Sequence, residues 1–279
     1  MGMTIGIDIG GSTTKIIGFS NNKVISPMLV KATDPISSLY GAFGKFLNQN
    51  SLKLDDISHV MITGVGSSYV QERIFGIPTG QVDEFRSVGF GGLFLSNLEN
   101  AVVVSMGTGT AFVKAEKSKV RHLGGTGVGG GTLLGLSNRM LNIRHFDDLV
   151  EMAKGGNLSN VDLFIKDMSN NIIPGLPPDT TASNFGKISD LVTNPDIALG
   201  IINLVFQTIG VLSIFAAKMD GTSDIVLTGN LTHVPQAGEI FNGLTILHSV
   251  RFHVPEHAEY ATAVGAALLH DNGADFIND

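Results

Sequence analysis

Hydrophobic and polar positions along this chain follow two periods. An apolar run over 3–9 meets a Gly-Gly-Ser turn, and further apolar runs at 15–19 and 23–30 follow. This pattern predicts strands, the first two joined as a hairpin. Residues 35–50 change to helical spacing, with Ile36, Leu39, Tyr40, Phe43, Phe46 and Leu47 recurring on one face. A strand is expected over 59–63, a helix over 67–75 and another over 84–98, whose Gly89, Gly91 and Gly92 form a small-residue face. The pattern then restarts. Ala101–Ser105 reads as a buried strand, Gly107-Thr108-Gly109-Thr110 as a turn and Ala111–Ala115 as a second strand. A glycine block over 124–131 leads into a helix ending near Leu141. Helices are expected over 144–153, 160–168, 184–192 and 196–219. A strand over 224–227, a small-residue helix over 260–270 and a frayed polar tail over 271–279 close the chain. Because a strand–glycine turn–strand unit opens each half, the expected organisation is two related α/β domains, 1–100 and 101–279, with a cleft between them.

Composition narrows the function classes. The 279 residues contain no cysteine, which excludes a disulfide scaffold, a thiolate zinc site and a cysteine nucleophile. A net charge of −7 argues against nucleic acid as a partner. The N-terminus has neither the basic nor the apolar region of a signal peptide, so a cytoplasmic location is expected. Ile197–Ala217 carries no charge and is long enough to span a bilayer. Its Asn203, Gln207, Thr208 and Ser213 nevertheless give it a polar stripe, and Asn194-Pro195-Asp196 resembles a helix start. A buried or subunit-interface helix is the expectation, with no membrane and a homodimer as the assembly.

Of the 35 glycines, ten are grouped where anions could be held: Gly10 and Gly11, Gly107 and Gly109, and six between 124 and 131. Asp8-Ile9-Gly10-Gly11-Ser12-Thr13-Thr14-Lys15 combines a tight turn, hydroxyl donors and one cation, so backbone N–H groups can approach a phosphate closely. Asp8, at a strand end, suits Mg²⁺ held through water. Val104-Ser105-Met106-Gly107-Thr108-Gly109-Thr110 repeats this logic about a hundred residues later. Either turn alone is equally a polar hairpin; two facing each other would clamp a polyphosphate. No Walker A stretch is present. The histidines lack metal-ligand spacing, and Pro255 interrupts the nearest pair, His253 and His257.

These turns, with the later Val226-Leu227-Thr228-Gly229-Asn230 and Ala261-Thr262-Ala263-Val264-Gly265-Ala266-Ala267, resemble the phosphate, adenosine and connecting segments of the sugar kinase/Hsp70/actin superfamily. Three further stretches narrow the match: Val82-Asp83-Glu84-Phe85, Arg121 to Gly131, and Asp179 to Gly186. Together they resemble type II pantothenate kinase from about residue 4 to 269. The resemblance implies a two-domain actin-like ATPase (ribonuclease H-like) fold with a nucleotide cleft between the domains. It implies ATP and Mg²⁺ as cofactors and pantothenate as the small-molecule substrate. Glu84 falls on the catalytic base, with Arg121 and His122 at the neighbouring catalytic position. Asp8, Gly10, Gly11, Ser12, Thr13, Thr14, Lys15, Gly107, Thr108 and Gly109 fall on nucleotide contacts. So do Gly130, Gly131, Thr132, Leu133 and Leu134, at a helix start whose N–H groups suit phosphate. Phe146, Gly229 and Asn230 fall near the adenosine, and Thr181 near the substrate.

Two positions depart from the family pattern. His122 stands where the family has Arg, and Arg121 sits one residue earlier, on the opposite face of a strand. Arg86 follows Glu84-Phe85 and would lower the Glu84 pKa if it lay close. The alternatives are a same-fold kinase for an N-acetylglucosamine-like sugar, with Asp83 as base, and a non-catalytic nucleotide switch.

Overall fold

The structure, a computed structural model, describes residues 2–31, 34–171, 173–187, 190–270 and 275–276. It contains two sheets of the same plan. In the first, β1 (Met3–Ile9), β2 (Thr13–Ser20) and β3 (Lys23–Lys31) form an antiparallel meander. Helix α1 (Pro35–Gln49) packs on it, started by Asp34, whose carboxylate accepts from the Ser37 N–H. β4 (Ile57–Thr63) then joins β1 in parallel and β5 (Thr79–Gln81) joins β4. Helix α2 (Glu84–Ser96) leads into the second sheet.

There β6 (Asn100–Met106), β7 (Thr110–Glu116) and β8 (Lys119–Thr126) form the second antiparallel meander. Helices α3 (Gly130–Leu141) and α4 (Phe146–Ala153) follow. A small ribbon of β9 (Leu163–Phe164), the one-turn α5 (Ile165–Met168) and β10 (Thr181–Ser183) precedes the long α6 (Asn194–Met219). β11 (Asp224–Thr228) adds to β6 in parallel. Beyond α7 (Pro235–His248), β12 (Arg251–His253) adds to β11. Helix α8 (Ala261–Leu268) and β13 (Asp275–Phe276) return to the first sheet, where β13 pairs with β5. A cut after residue 100 falls at the first residue of β6, and α8 and β13 pack back onto the first sheet from the C-terminal part of the chain.

Several elements differ from the pattern-based expectation. Residues 67–75 form no α-helix but two 3₁₀ turns, Val65–Tyr69 and Ile74–Gly76. The helix expected over 160–168 shrinks to α5. Residues 184–187 form turns, while 188–189 lie outside the described residues. The tail is only partly a tail, because Asp275 and Phe276 pair with Gln81 and Gly80; residues 271–274 and 277–279 lie outside the described residues. Part of the glycine block is strand: Gly124 and Gly125 belong to β8, where the absent side chains let Gly125 lie against the Thr110 carbonyl.

Two packing features position the cleft. Helices α2 and α8 cross at glycines. A Cβ on Gly91 would stand 1.8 Å from the Ala261 carbonyl oxygen, and one on Gly265 would stand 1.8 Å from that of Ser87. Gly89 and Gly92 abut Val120 and Val103 of the second sheet, so α2 is wedged between the two halves. Helix α6 is the spine of the C-terminal core, with Ile201, Ile202, Val205, Phe206 and Ile209 fully buried.

Among the described residues α6 is the single helix long and apolar enough to cross a membrane, and most of that window is buried in the fold. Its polar stripe is consumed internally. The Asn203 amide donates to Asp162 (2.7 Å), the Asn184 amide donates to Gln207 (3.3 Å), and Thr208 and Ser213 donate to carbonyls one turn back. The helix starts two residues earlier than the expected 196, because Thr193 and Asp196 form a reciprocal capping box around Asn194 and Pro195.

Candidate active site

A cleft of about 600 Å³ lies between the turns that link β1 to β2 and β6 to β7. Asp8, Gly10, Gly11, Ser12, Thr13 and Lys15 line one wall; Gly107, Thr108 and Gly109 line the other. Gly229 and Asn230, after β11, also face it, as do Glu84 and His122. The repeated hairpins are the local cause. Each ends a buried strand at the same edge of its sheet, so the two turns are presented to a common space.

Electrostatics in the cleft are unusual for carboxylates. Asp8 is buried, with Lys15 Nζ 3.8 Å from its Oδ2. Burial raises the Asp8 pKa and Lys15 partly offsets that. Glu84 opens α2, behind Asp83, whose Oδ1 caps the helix by accepting from the Arg86 N–H (2.8 Å). Burial first, then the charges of Asp8 and Asp83, raise the Glu84 pKa, with Lys15 opposing. This direction is opposite to the lowering expected from Arg86, because desolvation and two neighbouring carboxylates prevail. A raised carboxylate beside a cation and glycine turns can accept a proton while an anion is held nearby. Among the described residues no group of three or more His, Asp or Glu could hold a metal by protein ligands alone.

The structure brings only some of the expected residues together. Thr14 points away from the cleft into the core, where its hydroxyl is buried without a partner. Arg121 lies on the far side of β8, bonded to Asp220 at 2.6 Å, because strand alternation turns it away from His122. The α3 start is a brace rather than a cleft wall. The Gly130 and Gly131 N–H groups donate to the Gly107 and Thr108 carbonyls, both at 2.9 Å, so these two donors are spent on the second turn. Thr132 caps the same loop by donating to the Gly127 carbonyl, Leu133 is buried and Leu134 is partly exposed. A Cβ on Gly129 would sit 2.7 Å from the Thr108 carbonyl oxygen, so the brace needs glycine there. Phe146 packs against the C-terminal core. Thr181 lines a separate cavity of about 420 Å³ between the β9–β10 ribbon, α6 and α7.

Eight lining residues were not among the expected site residues: Val65, Phe85, Ser105, Thr110, Ala111, Gly125, Thr126 and Thr262. Ser105 and Thr262 lie inside motifs already noted, and Phe85 follows the base. Only the fold shows that Thr126, at the end of β8, reaches the cleft.

Residues 97–269 match the Fumble family. A type II pantothenate kinase of Bacillus cereus (strain ATCC 14579) is 29% identical over 291 residues, covering 98% of this chain and 95% of its own. The activator of the 2-hydroxyisocaproyl-CoA dehydratase from Clostridium difficile, solved with bound ADPNP, superposes with TM-score 0.67. It is 16% identical and covers 95% of this chain and 93% of its own. A ROK family glucokinase from Streptomyces griseus, solved with glucose and AMPPNP, gives TM-score 0.62. It is 12% identical and covers 98% of this chain and 100% of its own. The fold is thus the two-domain actin-like ATPase fold.

Proposed function

Since the chain belongs to the Fumble family, we propose that it phosphorylates pantothenate from ATP, the opening step of coenzyme A synthesis. The observation that carries this reading is the convergence of the Asp8–Lys15 turn, the Gly107–Gly109 turn and Glu84 on one cleft. In-line transfer needs a held γ-phosphate, charge stabilisation and a proton acceptor, and little else from the protein. Lys15 and the two turns hold the phosphates. The acceptor hydroxyl attacks the γ-phosphorus, its proton passes to the Glu84 carboxylate, and the bond from phosphorus to the ADP oxygen breaks. Thr181 serves the substrate only if the substrate reaches beyond this cleft, since its own cavity is separate.

Asp8 fits a role towards Mg²⁺. It is a buried carboxylate of raised proton affinity that lines the cleft, and a nearby dication would stabilise its charge. The metal would neutralise charge on the transferring phosphate. Asp83 is poorly suited as an alternative base for a sugar substrate, because its carboxylate is committed to capping α2.

The same reading includes two domains, 1–100 and 101–279, around the cleft, and a cytoplasmic homodimer. The apolar side chains Leu212, Phe215 and Met219 of α6 are 37%, 58% and 87% exposed, and a twin subunit would cover them. A monomer by light scattering at micromolar concentration would remove the dimer. An ADP-release assay with pantothenate and N-acetylglucosamine tests the function: turnover of pantothenate is expected, and turnover of the sugar alone would overturn the assignment.

A further inference from the structure

The foot of α2 is tied to the strand beside Asp8. β4 ends at Thr63, which pairs in register with Asp8 of β1. The next residue, Gly64, has φ +87°, and a Cβ there would stand 2.6 Å from Asp8 Oδ1 and 2.7 Å from the Ile9 carbonyl oxygen. The chain thus turns directly against the Asp8 carboxylate, an approach that a side chain would obstruct. Thr63 itself is fully buried, and its hydroxyl donates to the Val82 carbonyl at 2.9 Å. The Val82 N–H donates to the Ile62 carbonyl at 3.0 Å, so β4 holds both backbone groups of Val82. β5, which leads into this turn, is three residues long, and the tie to Val82 extends the hold of β4 to the foot of α2. Val82 lies two residues before Glu84. The Asp83 carbonyl then accepts from the Ser87 N–H and hydroxyl, at 3.0 and 2.9 Å, and Asp83 Oδ1 accepts from the Arg86 N–H. A short bonded path therefore joins the Asp8 strand to Glu84 through Thr63. Thr63 is not among the described residues that line the cleft.

We propose that Thr63 is a positioning residue: its hydroxyl fixes where the Glu84 carboxylate stands relative to the Asp8–Lys15 wall. This rests on the kinase reading above, in which Glu84 takes the acceptor proton while Lys15 and the two turns hold the phosphates. Without the hydroxyl the Val82 carbonyl is left unpaired, and the foot of α2 shifts and carries Glu84 with it. The nucleotide walls stay where they are, because the β1–β2 and β6–β7 hairpins carry them.

The test is steady-state kinetics of the full chain with ATP and pantothenate, for the native protein, Thr63→Val and Thr63→Ser, each also in the Glu84→Gln background. Val keeps the branched shape and removes the donor, while Ser keeps the donor. Thermal melts establish that each variant is folded at the assay temperature. Thr63→Val is expected to lose about tenfold to a hundredfold in kcat, the scale of a misplaced catalytic group, with both KM values changed less than about threefold. Thr63→Ser should keep kcat within about threefold of the native value, since the bond to Val82 is retained. In the Glu84→Gln background Thr63→Val should cost less than about threefold, because no base is left to misplace. A native kcat in Thr63→Val would overturn the inference. So would a loss of the same size in the Glu84→Gln background, which would place the effect of Thr63 elsewhere than at Glu84. A loss of about tenfold or more in folded Thr63→Ser would also overturn it, and that arm stands even if Thr63→Val fails to fold. Failure of the native protein to phosphorylate pantothenate would remove the kinase reading itself, and this inference with it.

Discussion

Replacing Glu84 with Gln separates the chemistry from the fold. Gln keeps the volume and leaves the Asp83 cap on α2 intact, since that cap uses the Asp83 side chain and the Arg86 N–H. What disappears is the proton acceptor. Removing a positioned general base costs about 10²–10⁴ in rate, or about 3–5 kcal/mol in the barrier at 1.36 kcal/mol per decade. Stability should move the other way. Burial, Asp8 and Asp83 raise the Glu84 pKa in the folded protein above the model-peptide value of 4.5. The ionised side chain is therefore less favourable folded than unfolded. That penalty sets in as pH rises from 4.5 through the folded value, and it persists at neutral pH. Glu84→Gln should thus melt at or above the wild-type temperature at pH 7 and lose this difference below pH 4.5. Nucleotide affinity should be unchanged or tighter, because a negative charge leaves the cleft. The assays are coupled ADP release, ADP titration by calorimetry, and thermal melts at two pH values. A rate loss under about tenfold would refute the role of Glu84 as base. A destabilised variant with weakened nucleotide binding would refute the separation of roles.

Other outcomes follow from the same geometry. The wild-type rate should rise with pH along an acidic limb set above the ordinary glutamate value, since burial and the neighbouring carboxylates delay formation of the base; a limb at or below 4.5 would contradict this. Arg121→Ala should change kcat/KM less than about twofold and stability by under about 1 kcal/mol, because its ion pair with Asp220 is on the outer face. Gly265→Val should destabilise by about 3 kcal/mol or more in urea titration, since even a Cβ meets the Ser87 carbonyl oxygen. Burial works against the Asp196 charge, yet hydrogen bonds from Thr193, Asn157 and Asn160 hold its carboxyl at about 2. The stability this gives should be complete above pH 3.8 and be lost as pH falls towards 2, and Asp196→Ala should cost about 1–2 kcal/mol at neutral pH by chemical denaturation.

The strands and main helices were legible because burial imposes a period on the residues themselves. Ile5, Ile7 and Ile9, and Leu39, Phe43 and Phe46, are fully buried as their spacing requires. The two glycine turns were legible too, because close backbone approach leaves glycine as the chemical trace. Glu84 was read as the base from its family motif, and its placement in the cleft came from the fold. Weaker signals failed where elements are short or exposed. β5 and β12 are three residues long, and α7 carries Gly238 and Gly243 inside a helix.

The sequence by itself determined the duplicated strand–turn–strand plan, the membership of the Fumble family and the chemistry available to the cleft. Only the tertiary structure decided which residues meet. It spent the Gly130 and Gly131 N–H groups on bracing a turn, and the register of β8 against β7 sent Arg121 outward and His122 inward. It also raised the Glu84 pKa by burying the carboxylate and by bringing residues 8 and 84 near one another. Hydrogen-bond partners, strand facing and desolvation all depend on segments distant in sequence. A residue's type states what it can do, while its neighbours in space settle what it does.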